Sequence, residues 1–400
     1  MPDAVIVATG RTPIGRAMKG SLVDCRPDDL SALVIREVLA KVPQLDPGLV
    51  EDVLLGCGQP AGEAGYNVAR VAALLAGVDA PGVTVNRYCS SSLQTIRMAA
   101  HAIKAGEGDV FVAAGVETVS RFGHGASDVG PHNPAFAEAE ARTAARAPAV
   151  TEPWTPPAGL PDIYIAMGQT AENVAEAEKV GRTEMDEYAA LSQQRAVESQ
   201  KNGFFEREII PVTLPDGSVV TKDDGPRPDT TVEGLANLKP VFREGGTVTA
   251  GNACPLNDGA AAVVVMSDTK AAELGIAPLA RIVASGVSAL DPEIMGLGPI
   301  DACRQALARA GMTIDDIDLV EINEAFAAQV IPSAKHLGIP WERLNLKGGS
   351  IALGHPFGMT GARIMTTLLN ALEDEDKRFG LESMCVGGGQ GMAMIVERLA

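Results

Sequence analysis

Aromatic residues, histidines and long apolar runs are all scarce in this sequence of 400 residues. Phe, Trp and Tyr together make up 4% of it, and there are five histidines. No run approaches about 18 consecutive apolar residues, so we expect no membrane-spanning helix. The first residues, MPDAVIVATGRTPIG, lack a basic segment followed by a long apolar one. We therefore expect no secretory signal and a cytoplasmic location.

Positive charge is also in deficit. The chain has 33 Lys and Arg against 51 Asp and Glu, a formal net charge of −18. This charge repels polyanions, so nucleic acid and anionic membrane surfaces are poor partners, whereas a small anion needs only a local basic pocket. The six widely spread cysteines form no CxxC pair and no zinc-ligand spacing, which predicts free thiols and no metal site.

Short apolar runs alternate with helical segments, which predicts an α/β fold with a largely parallel sheet covered on both faces. The same order of segments returns late in the chain with an offset of 267 residues (317 − 50). We interpret this as an internal duplication, although any two α/β units share part of the pattern. The matched apolar positions are Val50, Val53 and Leu55 with Ile317, Val320 and Ile322.

The amino-acid composition of the chain changes between the two repeats. We predict an N-terminal half of residues 1–121 plus 249–272, a loop domain of residues 122–248, and a C-terminal half of residues 273–400. Binding residues commonly lie in such a loop region. Within it, Thr183 and Asp186 match an acidic variant of the capping box and predict the start of a helix.

The stretch VTVNRYCSSSLQT places Cys89 between a predicted strand and a predicted helix. Free N–H groups and the dipole at a helix N-terminus favour a thiolate, so we expect a lowered pKa and a nucleophile. The alternative is a packed structural cysteine with Ser90 as the N-cap. The duplication favours the nucleophile, because Cys89 shifted by 267 falls beside His355, and an imidazole is the usual base for a thiol. The alternative for His355 is a structural histidine.

Three further stretches carry polar or reactive groups. Cys385 precedes VGGGQG, a glycine run whose N–H groups suit an oxyanion, although Cys385 also fits a small core residue. Asn323 and Glu324 follow an apolar strand. A polar pair in this position indicates either site residues or the N-cap of a helix. The stretch LGCGQPA matches the dinucleotide pattern G-x-G-x-x-A only superficially, because a proline interrupts the loop and no acidic residue ends the next strand. We reject that reading.

Nine stretches, taken together and in order, resemble the thiolases, in particular the bacterial 3-ketoacyl-CoA thiolases of the degradative kind. The resemblance covers essentially the whole chain. It implies two α/β halves stacked in five αβαβα layers, with a loop domain over the active site. It also implies a homodimer, often paired into a homotetramer. The stretches are RTPIG, VNRYCSSSLQ, GVETVS, MGQTAENVA, GTVTAGNACPLNDGAAAVVV, MGLGPI, EINEAFA, GGSIALGHPFG and CVGGGQG.

The resemblance further implies roles for the matched residues. Cys89 is the expected nucleophile, and His355 is expected to take its proton and to help bind the thioester oxygen. Asn323 is expected to hold a water in that first oxyanion hole, and Cys385 to act as acid and base at the substrate α-carbon. The N–H groups of Cys89 and Gly387 are expected to form a second oxyanion hole. The expected contacts to CoA are Arg227 at the nucleotide end and Met167, Ala250, Cys254, Ala325 and Phe326 along the pantetheine tunnel.

The activity implied is thiolytic cleavage of a 3-ketoacyl-CoA by CoA, as in fatty acid β-oxidation, with CoA as co-substrate and no cofactor. Three alternatives remain open: acetoacetyl-CoA synthesis by an acetyl-CoA acetyltransferase, a decarboxylating ketosynthase with His336 as its second histidine, and a non-catalytic acyl-CoA-binding protein. Many relatives have Gly at Ser92, His at Ala166 and Ser at Cys254. These differences bear on substrate fit and leave the catalytic set intact.

Overall fold

The computed structural model describes residues 2–148 and 153–400, so Met1 and residues 149–152 of the predicted loop domain lie outside the described residues. The strands are β1 (Ala4–Arg11), β2 (Gly15–Arg16), β3 (Asp52–Cys57), β4 (Gly82–Val85), β5 (Val110–Thr118), β6 (Val212–Thr213), β7 (Val219–Val220), β8 (Asn257–Ser267), β9 (Ala280–Ala289), β10 (Leu319–Ile322), β11 (Phe379–Val386) and β12 (Gln390–Arg398). The helices are α1 (Pro27–Ala40), α2 (Val68–Ala76), α3 (Ser91–Ala105), α4 (Ala137–Arg146), α5 (Met167–Glu178), α6 (Arg182–Lys201), α7 (Val232–Ala236), α8 (Asp268–Leu274), α9 (Gly298–Ala310), α10 (Ala327–Leu337), α11 (Ser350–Leu353) and α12 (Thr360–Asp374).

The strand order repeats itself from one half of the chain to the other. The main sheet runs β10-β11-β12-β9-β1-β8-β5-β3-β4, so β1, β8, β5 and β3 mirror β9, β12, β11 and β10. The halves join where β1 pairs with β9 through only two residue pairs. At the far end, Leu344 bridges Val320 in parallel, as β4 pairs with β3. The predicted duplication is therefore confirmed in the fold.

The prediction of a largely parallel sheet is wrong. Parallel pairing is confined to β3 with β4, β3 with β5, and β10 with β11. In each half the last strand, β8 or β12, turns back and runs antiparallel to both of its neighbours. The βαβ alternation indicates the parallel part correctly, but it carries no information about a strand that follows a long insertion or a tight glycine turn.

Three apolar clusters separate the layers. The central cluster contains α3 and α12, which pack against each other between the sheet halves. A second cluster lies under α1 and α2, and a third lies under α9 and α10. Because helices cover both faces, β1, β5 and β8 are buried along their whole length. The result is the five-layer αβαβα arrangement.

The loop region is tied to the sheet through a buried cation. Arg11 donates from Nη1 to Asp223 at 2.7 Å and from Nη2 to Glu208 at 3.0 Å. All three side chains are fully buried, so the pair of carboxylates depends on this one guanidinium for compensation. None of the helices in the described parts of the chain combines the length with the apolar character that crossing a bilayer requires.

The helix in the loop region begins two residues earlier than predicted, because its N-cap is Gly181 rather than Thr183. α6 begins at Arg182 after Gly181, and Thr183 lies inside its first turn. Asp186 does not close a capping box. It accepts hydrogen bonds from Arg182 and from Asn252 Nδ2 at 2.9 Å, because the nearby guanidinium and amide are stronger partners than a helix N-terminus.

Candidate active site

Cys89 lies in the turn between β4 and α3. The turn is a single 3₁₀ turn, Tyr88–Ser90, in which Tyr88 adopts the left-handed φ of +42°. Ser91 fixes the turn, accepting from the Arg87 N–H at 2.9 Å and donating to the Tyr88 carbonyl at 2.7 Å. Ser90 occupies the N-cap position of α3, but its side chain makes no capping bond, contrary to the alternative reading of the sequence.

Burial decides the charge of the Cys89 thiol. Its pKa is raised to about 12, chiefly by burial, while the N–H groups of Gly387 and of Cys89 itself pull it down. The expectation of a lowered pKa is therefore wrong for the free protein. A helix N-terminus favours a thiolate only where enough of its charge stays solvated, and Cys89 is 8% exposed.

His355 is held by hydrogen bonds that select its tautomer. Its Nδ1 lies 2.7 Å from Thr360 Oγ1, and Thr360 donates its only hydroxyl proton to the Pro356 carbonyl at 2.7 Å. Thr360 must therefore accept from Nδ1–H, which leaves Nε2 unprotonated and able to accept a hydrogen bond or a proton. Burial, and then the charge of Arg363, lower the pKa of His355 to about 3, so the ring is neutral at physiological pH.

The backbone before His355 needs glycine. Gly354 has φ +116°, and a Cβ there would collide with the Asn257 side chain. Asn257 uses that space to accept the His355 N–H at 3.0 Å. The Gly-dense turn recognised in the sequence thus holds the backbone of His355, and with it the imidazole, in one position.

Asn323 faces the unprotonated nitrogen of His355. Its Nδ2 lies 3.3 Å from His355 Nε2, and its Oδ1 accepts from Ser350 Oγ at 2.6 Å. Ser350 in turn accepts from Arg363 Nη2 at 3.0 Å. Because Ser350 fixes the oxygen end of the amide, the NH₂ end must point at the imidazole. Sequence reasoning missed Ser350 and Arg363, although a lone arginine in the apolar stretch of α12 was a usable signal.

Glu324 points away from this group. Its carboxylate accepts from Tyr188 Oη at 2.8 Å, from Ser192 Oγ at 2.6 Å and from the Ile351 N–H at 3.1 Å. It therefore anchors α6 and α11 behind the site. Of the polar pair Asn323 and Glu324, only the asparagine is presented to His355.

Cys385 is the penultimate residue of β11, and its thiol is fully buried. Burial raises its pKa well above the usual value, and the neighbouring Cys89 and Cys254 thiols raise it further. After Cys385 the chain turns through Gly388 and Gly389, whose φ values are +78° and +76°. This turn aims the Gly387 N–H at the Cys89 sulfur. Three thiols and two N–H groups from both halves of the chain thus meet at one point.

The predicted CoA contacts fall into two sets. Met167 lines a cavity of about 220 Å³ beside Cys89. Ala325 and Phe326 are buried against the segment that precedes β8, where the Cys254 N–H donates to the Ala325 carbonyl at 3.0 Å. Ala250 and Arg227 lie at the surface. Partial burial, and then the nearby charge of Arg16, lower the pKa of Arg227, so two arginines stand together there.

The rejected dinucleotide motif and the alternative histidine His336 both have clear structural roles. The N–H groups of Gly58 and Gln59 in LGCGQPA donate to the Glu117 carboxylate at 2.8 and 3.1 Å, so they are not free for a phosphate. His336 is on the exposed side of α10 and pairs with Glu178 at 2.8 Å. It cannot serve as the second catalytic histidine that a decarboxylating ketosynthase requires.

A buried thiol faces a second thiol and converging N–H groups, and a neutral imidazole packs on Phe357 in the wall of the same cavity. This arrangement suits an α/β protein to chemistry on an acyl group. Two family models match the chain: "Thiolase, N-terminal domain" over residues 4–269 and "Thiolase, C-terminal domain" over residues 276–398. The chain belongs to the thiolase family.

Individual relatives match along their whole length. The chain is 44% identical over 410 residues to a 3-ketoacyl-CoA thiolase of Pseudoalteromonas translucida, covering 100% of both chains. It is 44% identical over 408 residues to a beta-ketoadipyl-CoA thiolase of Escherichia coli, again covering 100% of both. Its fold matches the crystal structure of the dimeric peroxisomal thiolase of Saccharomyces cerevisiae with a TM-score of 0.89, at 37% identity, covering 99% of this chain and 97% of the other.

Proposed function

We propose that this protein cleaves a 3-ketoacyl-CoA with free CoA, giving acetyl-CoA and an acyl-CoA two carbons shorter. The observation that carries the proposal is the meeting of the Cys89 thiol with the Gly387 N–H and the Cys385 thiol. His355, paired with Asn323, packs on Phe357, which lines the same cavity as Cys89. The names of the two curated relatives agree with this activity. They do not favour acetoacetyl-CoA synthesis as the main role. The reaction needs CoA as a co-substrate and no resident cofactor.

In the first half-reaction, the Cys89 sulfur attacks the 3-keto carbon while His355 Nε2 takes the thiol proton. Both groups are uncharged in the free protein, so this transfer becomes favourable only as charge develops on the keto oxygen. The N–H groups of Cys89 and Gly387 receive that oxygen. The C2–C3 bond then breaks, and the Cys385 thiol protonates C2 of the departing acetyl-CoA enolate.

In the second half-reaction, free CoA attacks the acyl-Cys89 thioester. The Cys385 thiolate left by the first step accepts the proton of the CoA thiol. Attack of the CoA sulfur on the acyl carbon releases Cys89, and His355 returns its proton to the Cys89 sulfur. The high pKa of the Cys385 thiol suits this role, because the thiolate is a strong base when it forms.

The same proposal assigns CoA binding to the two sets of contacts described above. Arg16 and Arg227 supply positive charge for the nucleotide phosphates on a chain whose net charge is −18. The chain segment of Arg227 packs closely on α11, so closely that a Cβ at Gly225 would collide with the carbonyl of Ala352. Met167, Cys254 and Phe326 line the way inward. We assign this reaction to the β-oxidation of fatty acids, in which each round shortens an acyl-CoA by two carbons.

The proposal includes a homodimer. β4 is the last strand of the sheet, and no strand of the described residues covers its outer edge. Val83 on β4 is 37% exposed and Tyr66 nearby in sequence is 98% exposed. A second copy that pairs along β4 would cover this edge. Light scattering of the Val83→Lys variant tests this: we expect a monomer, and an unchanged dimer would contradict the assignment.

Acyl trapping tests the activity. The protein is incubated with a 3-ketoacyl-CoA without free CoA, digested and weighed by mass spectrometry. We expect the acyl mass on the Cys89 peptide, none in Cys89→Ala, and an unchanged yield in Cys303→Ala, which removes a buried thiol from α9 instead. Thiolysis at the wild-type rate by Cys89→Ala would refute the proposal.

A further inference from the structure

The cavity beside Cys89 is small, and its wall is partly apolar and partly polar. Its volume is about 220 Å³, below the roughly 300–1,000 Å³ of pockets for drug-sized ligands, so it suits a compact acyl group. Its wall is partly apolar, from Ile163, Ile165 and Phe357. The polar part of the wall comes from Gln59, Tyr88, Asp128, His132 and Tyr164.

Among the described residues that line this cavity, Asp128 is the only one with a full charge at neutral pH, and none is Lys or Arg. The one imidazole among these lining residues, His132, is already paired: its Nδ1 lies 2.9 Å from the Glu140 carboxylate, and its ring stacks on Tyr164 at 3.8 Å. A second carboxylate therefore lies directly behind the imidazole. The charge that an acyl group meets is negative.

Asp128 is fixed in this place by the protein. Its N–H donates to Gln59 Oε1 at 3.1 Å, and the same oxygen accepts from the Ser127 N–H at 2.7 Å and from Ser127 Oγ at 3.0 Å. Gln59 is itself held through its N–H by Glu117 at 3.1 Å. The Asp128 carboxylate lies close to the Tyr88 phenol, whose pKa burial and then Asp128 raise. The backbone of Asp128 is thus held at the cavity wall, with its carboxylate near Tyr88.

From this arrangement we propose that Asp128 is a specificity determinant that excludes 3-ketoacyl groups ending in a carboxylate, so that the enzyme takes compact, uncharged acyl chains. The proposal rests on the proposed thiolase activity and deepens it. A terminal carboxylate would leave water for a site whose described lining has no Lys or Arg and whose one imidazole is paired with Glu140, and it would face a like charge there. A neutral chain of the same length avoids both the desolvation and the repulsion, and it packs against the apolar part of the wall.

The test compares two substrates of matched length, 3-ketohexanoyl-CoA and 3-oxoadipyl-CoA, which differ by the terminal carboxylate. For the wild-type protein we expect kcat/KM to favour the neutral substrate by roughly ten- to a hundredfold at low salt. Because Asp128 is exposed to solvent, the preference should shrink as ionic strength rises. A purely steric or structural role would show no such salt dependence.

The variant Asp128→Asn keeps the shape and removes the charge. We expect its kcat/KM for 3-oxoadipyl-CoA to rise about tenfold, while that for 3-ketohexanoyl-CoA stays within about threefold of wild type. Asp216→Asn is the matched control, because Asp216 is in the β6–β7 turn and bonds only Ser218. It should leave the preference unchanged.

The possible outcomes separate the two proposals. Equal cleavage of both substrates by wild type, or an unchanged preference in Asp128→Asn, overturns the role of Asp128 and leaves the thiolase activity standing. Cleavage of neither substrate, with no acyl adduct on Cys89, overturns the proposed activity and the specificity argument with it. A preference that falls in the variant and with salt supports both.

Discussion

Thr360→Val is the sharpest test of the proposed base. Thr360 Oγ1 is the acceptor that keeps the proton on His355 Nδ1 and so leaves Nε2 free to take a proton from Cys89. Valine has nearly the same shape and removes the hydroxyl, which is both the acceptor for Nδ1–H and the donor to the Pro356 carbonyl. The Nδ1–H group would then be buried without a partner, and the other tautomer would set Nε2–H against the Asn323 NH₂ group.

The size of the effect follows from that loss. Leaving a buried donor unsatisfied costs about 1–3 kcal/mol, which converts to roughly a 5- to 150-fold fall in kcat. KM should change little, because Thr360 does not line the cavity beside Cys89. The measurement is steady-state thiolysis of a 3-ketoacyl-CoA, with kcat and KM determined separately. Thr360→Ser retains the hydroxyl and should recover most of kcat.

Thr366→Val supplies the matched control. Thr366 Oγ1 donates to the Ala362 carbonyl at 2.8 Å in the same helix, which repeats the bond from Thr360 to Pro356 without contacting the imidazole. If Thr366→Val loses as much activity as Thr360→Val, the effect belongs to the helix and the tautomer argument fails. A Thr360→Val protein with wild-type kcat would refute it directly.

Three further predictions concern buried groups behind the site. Ser350→Ala should lower the free energy of unfolding by about 1–3 kcal/mol and reduce kcat, because it frees the Asn323 amide to rotate; urea unfolding and thiolysis check this, and full activity would contradict it. Burial raises the pKa of Glu117 to about 7 from its ordinary 4.5, so its neutral form stabilises the fold below about pH 4.5 and this contribution, about 3 kcal/mol, is lost as pH rises to 7. Urea midpoints at pH 5 and pH 8 should therefore differ less in Glu117→Gln than in wild type, and an identical difference would count against the shift. Arg11→Met should lower the free energy of unfolding by about 3–5 kcal/mol, since it strands two buried carboxylates, and an unchanged thermal transition would exclude that account.

The sequence indicates the reactive residues well because their signals are local. Cys89 and His355 occupy nearly equivalent positions of the two repeats, shortly before α3 and α12, and Cys385 precedes a glycine run. The partners that tune them are not local. Ser350 and Thr360 acquire meaning only when α11, α12 and β10 are packed together, because each contributes one hydrogen bond to a chain that no spacing reveals.

The charge state of Cys89 could not be predicted for a similar reason. The sequence shows a helix N-terminus, whose dipole lowers the pKa, but it does not show how much solvent reaches the sulfur. Burial by the second half of the chain reverses the sign of the shift. The same limit explains the strand directions: the parallel units follow from alternation, whereas the placement of β8 depends on where a long insertion returns the chain.

The position of β1 in the sheet has a consequence for synthesis on the ribosome. β1 is complete at Arg11, but its neighbours β8 and β9 begin at Asn257 and Ala280. At about 5–20 residues per second, the first strand waits roughly 12–50 s for its first partner. During that time an apolar strand with two open edges is available to other chains. We therefore expect the nascent N-terminal half to need shielding by a chaperone until residue 267 has emerged, and truncations that end before β8 to aggregate rather than fold.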